Sequence, residues 1–142
     1  MKRRDFLFAA AAVSAVALIP PALAAPSRFA SNRISVVVQG SGPDVVMIPG
    51  LTASRDMWKG AVAAVPGYRY HLVQVAGFAG TPAGGNASGK VVGPVAAEIA
   101  RYIDETNLRK PALIGHSMGG TLAMMIAARH PAKVGRVMVV DM

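Results

Sequence analysis

The run Ala112-Leu113-Ile114-Gly115-His116-Ser117-Met118-Gly119-Gly120-Thr121-Leu122 constrains this chain more than any other stretch. It reads as a short buried strand, a tight turn with serine at its apex, and then a helix. The turn contains G-x-S-x-G as Gly115-His116-Ser117-Met118-Gly119. A strand that reverses this sharply into a helix strains the serine backbone and leaves no room for Cβ atoms on either side. Glycines flanking the serine answer both demands. The serine hydroxyl is then lifted above the end of a sheet and set at a helix N-terminus, where the backbone dipoles favour negative charge. Five letters are weak evidence alone. The apolar strand before them and the apolar helix after them make Ser117 a candidate nucleophile.

The chain has 142 residues, a one-domain length, and is 53% hydrophobic and 15% charged. That composition excludes disorder as its general state. Part of the apolarity sits at the N-terminus. Met1-Lys2-Arg3-Arg4-Asp5 is charged, Phe6 to Ile19 is uncharged and alanine-rich, Pro20-Pro21 breaks the run, and Ala22-Leu23-Ala24 is a small-x-small pattern. Residues 1–24 read as a secretory signal peptide cut after Ala24, with no stable membrane anchor left afterwards. The apolar run is short for a membrane span. Arg3-Arg4-Asp5-Phe6-Leu7 resembles the bacterial twin-arginine signal R-R-x-F-L, so delivery to the periplasm or beyond is expected. The formal charge is +8, and loss of residues 1–24 lowers it to +6. The remaining cations, from Arg28 to Arg136, are scattered and not interleaved with aromatics. That points to a basic surface and away from nucleic acid. The absence of cysteine rules out disulfides and thiolate-held metals.

Residues 25–142 form one region in which strand and helix signals alternate. Ala25 to Asn32 reads as a polar leader. Ile34–Val38, Val45–Ile48, His71–Val75, Ala112–Gly115 and Arg136–Val140 read as strands, several of them apolar throughout, as expected where both faces of a sheet are covered. Ser54 is placed to cap a helix with an apolar stripe at Met57, Trp58, Ala61, Val62 and Val65. Val91 to Asn107 reads as an amphipathic helix with Gly93-Pro94 in its first turn. The helix after Ser117 carries a row of small residues, Gly119, Ala123 and Ala127, which permits close approach to the sheet. This alternation predicts an α/β fold with a mainly parallel sheet flanked by helices. The loop from Ala76 to Gly89 is glycine-rich but lacks G-x-x-x-x-G-K-[ST], so it does not read as a phosphate cradle.

Taken with Ile48-Pro49-Gly50-Leu51, the serine turn resembles the α/β-hydrolase superfamily of serine esterases and lipases. The likeness runs from Ile34 to Met142. It includes a strand ending at Gly50, a tryptophan early in the next helix at Trp58, and a glycine-rich loop after the following strand. It covers the N-terminal half of that fold. The resemblance implies Ser117 as nucleophile and the backbone N–H groups of Leu51 and Met118 as oxyanion donors. It also implies a small-molecule acyl substrate and no cofactor or metal. Where many relatives have His-Gly, this chain has Pro49-Gly50. Where relatives often carry Asp before the glycine-rich loop, it has Gln74.

Hydrolysis by serine needs a base, and in this superfamily the order is Ser, then acid, then His. The only histidine after Ser117 is His130, which belongs at the far end of the following helix. His71 belongs at the opposite end of the sheet, and His116 reads as a packing residue inside the turn. Asp141 ends the strand after the serine helix and is a candidate acid; its other reading is a carboxylate capping the next loop. The expectation is therefore a serine hydrolase that is incomplete in this chain. An inactive truncated product or binding remnant is the first alternative, and a cofactor-free haloperoxidase or lyase on the same fold the second. A sheet ending at Val140 is also expected to expose Val137 and Val139 and to self-associate through its open edge.

Overall fold

The computed structural model describes residues 29–142. The expected export signal and its expected cleavage position lie outside these described residues. Five strands form one sheet: β1 (Ile34–Gly40), β2 (Asp44–Ile48), β3 (Arg69–Val75), β4 (Ala112–His116) and β5 (Arg136–Val140). Their spatial order is β1-β3-β2-β4-β5. β2, β3, β4 and β5 run parallel, while β1 lies antiparallel on the outer side of β3 in the register Ile34↔Val75 to Gly40↔Arg69. The expected α/β class holds, with one antiparallel edge strand. The turn after β1 bends toward the start of β3, where Arg69 N–H donates to Pro43 C=O at 2.9 Å. β1 pairs with β3 and not with its sequence neighbour β2.

Three α-helices flank the sheet: α1 (Lys59–Ala64), α2 (Val92–Glu105) and α3 (Met118–Arg129). Alternate residues of the strands supply two apolar layers, as the period of two requires. Val46, Ile48, Val73, Val75 and Leu113 pack with Val95, Ile99 and Ile103 of α2 and Leu122 and Ile126 of α3. Full burial of each such side chain contributes roughly 1.5–3 kcal/mol. Val45, Met47, Tyr70 and Leu72 face the other way and pack on Trp58.

The second layer is thinner than the sequence suggests. Ser54 does cap, its Oγ accepting from Asp56 N–H at 3.1 Å. The segment it starts is a 3-10 turn over Arg55–Trp58 followed by only six helical residues. Of the expected stripe, only Trp58 is buried and Val62 partly so; Met57 and Val65 are exposed. Beside α1 an open apolar groove of about 430 Å³ runs over Val45, Met47, Tyr70 and Met138. The leader also differs from expectation. Phe29 packs edge-on to Tyr102 with ring centroids 5.0 Å apart, under the Arg101 guanidinium at 4.5 Å. Val137 and Val139 of the β5 edge are exposed, as anticipated, and so is Met138. Among the described residues no helix is long and apolar enough to cross a membrane.

A buried polar chain ties the N-terminal ends of β2 and β3 to α2. The His71 ring is 2.7 Å from the Tyr102 hydroxyl through Nδ1 and 2.9 Å from Asp44 Oδ1 through Nε2. Asp44 also accepts two hydrogen bonds from Arg69, at 2.5 and 3.0 Å. Burial holds the His71 imidazole below its ordinary pKa, outweighing the opposing pull of Asp44. Burial would raise Asp44, but its hydrogen bonds from Arg69 and His71 together keep it below the usual carboxylate value. Burial and the Asp44 charge push the Tyr102 hydroxyl up to about 12. The unfolded chain protonates His71 as pH falls through about 6.5, while the folded chain keeps it neutral to a lower pH. The unfolded state then binds the extra proton, so this contribution to stability is present above that pH and is lost below it. Urea denaturation between pH 7.5 and 5 should show stability falling by up to about 1.4 kcal/mol per pH unit. In a folded His71→Gln variant that slope should shrink; an unchanged slope would assign it to other groups.

Candidate active site

Ser117 sits between the C-terminal end of β4 and the first turn of α3, with φ 51° and ψ −120°. A non-glycine residue in such a region costs about 1–3 kcal/mol and persists only where its surroundings fix it. Here they do. Ser117 N–H donates to the carbonyls of both Val140 and Asp141, each at 3.0 Å. Ser117 C=O accepts from Gly120 N–H at 2.8 Å and from Thr121 N–H at 3.3 Å.

The neighbouring glycines are required by contact. A Cβ on Gly115 would lie 2.1 Å from Gly119 O and 2.5 Å from Gly120 N. One on Gly119 would lie 2.2 Å from Ile48 O and 2.7 Å from Pro49 O. Helix α3 therefore presses its first turn directly onto the ends of β4 and β2. Leu122, Ala123 and Ile126 continue that contact along the helix.

At the end of β2 the chain makes a turn in which Ala53 N–H donates to Gly50 C=O at 3.2 Å, with Thr52 at φ 61°. Leu51 occupies this turn with its side chain exposed. Its N–H, and that of Met118 at the first position of α3, donate to no other described backbone group outside regular helix and strand ladders. The first N–H groups of a helix are free in any case. Gly50 abuts the His116 ring: a Cβ there would lie 2.7 Å from His116 Nδ1. That Nδ1 is buried without a hydrogen-bond partner, and Nε2 lies 3.9 Å from Asp141 Oδ2, beyond hydrogen-bond reach. His116 thus packs the serine turn against the Gly50 turn.

The structure brings Ser117, Met118, Leu51 and Asp141 to one end of the sheet, the C-terminal ends of β2, β4 and β5. Asp141 enters through its backbone carbonyl, while its side chain is 86% exposed. It does not bring the other histidines there. His71 lies near the start of β3, and His130 follows α3, where its N–H donates to Ile126 C=O at 2.8 Å. Among the described residues no group of three His, Cys, Asp or Glu is placed to hold a metal ion.

Two buried polar residues near this end were not assigned roles from sequence. Asn86 donates to Arg33 and Ala76 carbonyls, each at 3.0 Å, and accepts from Arg33 Nη1 at 2.9 Å, closing the glycine-rich loop onto β1. Gln74 bonds to the backbone of Ala53 and Arg55, at and just after the end of the Leu51 turn, and to Phe78 of the glycine-rich loop. For Gln74 the available signal was an isolated amide inside the apolar strand Leu72–Val75, since such residues are buried only with partners; Asn86, within the glycine-rich loop, offered none.

The sequence model of the alpha/beta hydrolase fold family matches residues 43–142. The chain is 33% identical over 102 residues to pimeloyl-[acyl-carrier protein] methyl ester esterase of Aeromonas hydrophila subsp. hydrophila, across 71% of this chain and 38% of that protein. It is 35% identical over 99 residues to monoacylglycerol lipase abhd6-B of Xenopus laevis, across 67% of this chain and 29% of that one. Among solved structures, a marine microorganism esterase superposes with a TM-score of 0.68 at 28% identity, over 77% of this chain and 41% of its own. The chain spans well under half the length of each of these relatives.

Proposed function

The chain belongs to the alpha/beta hydrolase fold family, and on that premise we propose that it carries the nucleophile and oxyanion site of a serine hydrolase acting on an ester or related acyl substrate. The observation that carries this reading is the strained Ser117 at φ 51°, held between β4 and α3 by hydrogen bonds on both its N–H and its C=O. Ser117 Oγ attacks the acyl carbonyl carbon and passes its proton to a base. The negative oxygen that forms is received by the N–H groups of Leu51 and Met118, and the alcohol leaves with a proton returned by the same base. Water then repeats the sequence and frees the acid and Ser117. Donors already aimed at the developing charge contribute on the order of 2.7–4 kcal/mol each.

No histidine of the described residues is placed to be that base, since His71 and His130 lie elsewhere and His116 is packed on Gly50. We assign it to a histidine beyond this sequence, with Asp141 as the candidate acid. The esterase and lipase names among the relatives support an acyl substrate without choosing one. The reading is tested on the protein purified from its native host, by reaction with a fluorophosphonate and mass spectrometry of the adduct. Modification at Ser117 is expected. A protein that hydrolyses esters but takes the probe elsewhere, or not at all, would sink the assignment.

We also propose twin-arginine-dependent export from Arg3-Arg4-Asp5-Phe6-Leu7. Changing Arg3 and Arg4 both to Lys should trap uncleaved precursor in the cytoplasm, seen by fractionation and immunoblot. Normal export of the double variant would count against it.

A further inference from the structure

Gln74, at the C-terminal end of β3, is 5% exposed and takes no part in the chemistry above. Its Oε1 accepts Arg55 N–H at 2.9 Å. Its Nε2 faces three carbonyls: Val75 at 3.2 Å, and Ala53 and Phe78 at 3.4 Å each. The two amide hydrogens are shared among these oxygens, so both ends of the side chain are satisfied.

The segments it joins give this its meaning. Ala53 and Arg55 follow directly on Leu51, and Ala53 N–H closes the turn on Gly50. Phe78 belongs to the glycine-rich loop, whose N–H donates to Val75 C=O at 3.2 Å. One buried amide therefore spans the loops that leave β2 and β3. The Leu51 turn needs such a hold, because Thr52 is kept at φ 61°, a left-handed conformation that is unfavourable for a β-branched residue.

We propose that Gln74 is the positioning residue of the Leu51 oxyanion turn and that its role requires an amide. This rests on the reading of Leu51 as an oxyanion donor. A carboxylate at this position keeps the acceptor for Arg55 N–H but turns a negative charge toward the Ala53, Val75 and Phe78 carbonyls. An aliphatic side chain of similar size loses both halves and leaves Arg55 N–H and Ala53 C=O unpaired.

The two halves separate experimentally. Backbone amide hydrogen exchange and the fluorophosphonate labelling rate are measured on the protein purified from its host, as wild type, Gln74→Leu and Gln74→Glu. In Gln74→Leu, exchange at Ala53 and Arg55 should quicken at least about tenfold, while core amides of Val73 and Leu113 stay protected. In Gln74→Glu, which preserves size and packing, Arg55 should stay protected and Ala53 should not. Labelling should slow about a hundredfold in both, the loss of roughly one oxyanion donor. Ala53 exchange within twofold of wild type, or equal acceleration in the core, would overturn the clasp. Faster Ala53 exchange with unchanged labelling would overturn its link to the reaction. Absence of labelling in the wild type would instead remove the serine-hydrolase reading, while the exchange pattern would still decide what Gln74 holds.

Discussion

If Ser117 is the nucleophile we propose, Ser117→Ala should abolish both ester hydrolysis and fluorophosphonate labelling in the protein purified from its host. Loss of a triad nucleophile costs about 10⁶-fold in kcat, because the members act as a unit, and what remains over water comes from the oxyanion hole and binding alone. The variant should fold normally. The turn is held by the backbone N–H and C=O of residue 117, with no side-chain cap on α3. Ser117→Gly relieves the positive φ as well as deleting the hydroxyl, and should be at least as stable as wild type and equally inactive. The expressed 142-residue chain should turn over p-nitrophenyl butyrate negligibly, since no described imidazole is placed to accept the Ser117 proton. Robust hydrolysis by that chain, lost in Ser117→Ala, would show that a base is already present within it.

The second large effect concerns Gly119. Alanine is the better helix former by about 1 kcal/mol, so helix propensity alone predicts that Gly119→Ala stabilises α3. Contact predicts the reverse. The new Cβ would fall 2.2 Å from Ile48 O and 2.7 Å from Pro49 O, both backbone atoms at the end of a central strand. Neither can move without shifting β2 or lifting α3 off the sheet, and overpacking of this kind costs about 1–3 kcal/mol or more. We expect a loss near the top of that range, lowering Tm by roughly 10 °C or more, together with loss of the Ser117 geometry. Gly60→Ala is the matched control. It too lies in a helix, but its Cβ would meet nothing within 4 Å, so it should be neutral or gain up to about 1 kcal/mol. Urea denaturation of the pair decides the matter. Equal stabilities would mean that α3 does not approach β2 as closely as described.

The sequence by itself determined the parts whose physics is local. The strand–turn–helix around Ser117 is legible because only small residues fit beside a strained serine, and the contacts of Gly115 and Gly119 bear that out. The α2 stripe is legible because Val95, Ile99 and Ile103 recur at helical spacing. The α/β class follows from the alternation of such segments. Tertiary structure decided what depends on residues far apart in the chain. β1 pairs antiparallel with β3, a partner remote in the chain, and not with the adjacent β2. The stripe of α1 is largely exposed because the segment is a 3-10 turn and only six helical residues, of which Trp58 and Val62 alone reach the apolar sheet face. His71 is buried yet satisfied because Tyr102 and Asp44 arrive from other elements. Asp141 meets Ser117 through its carbonyl and not its carboxylate, which no residue pattern encodes. Gln74 was visible as a departure from the residue often found there, but its hold on the Leu51 turn was not. A single amide bonding four backbone groups from three segments exists only once those segments have been brought together.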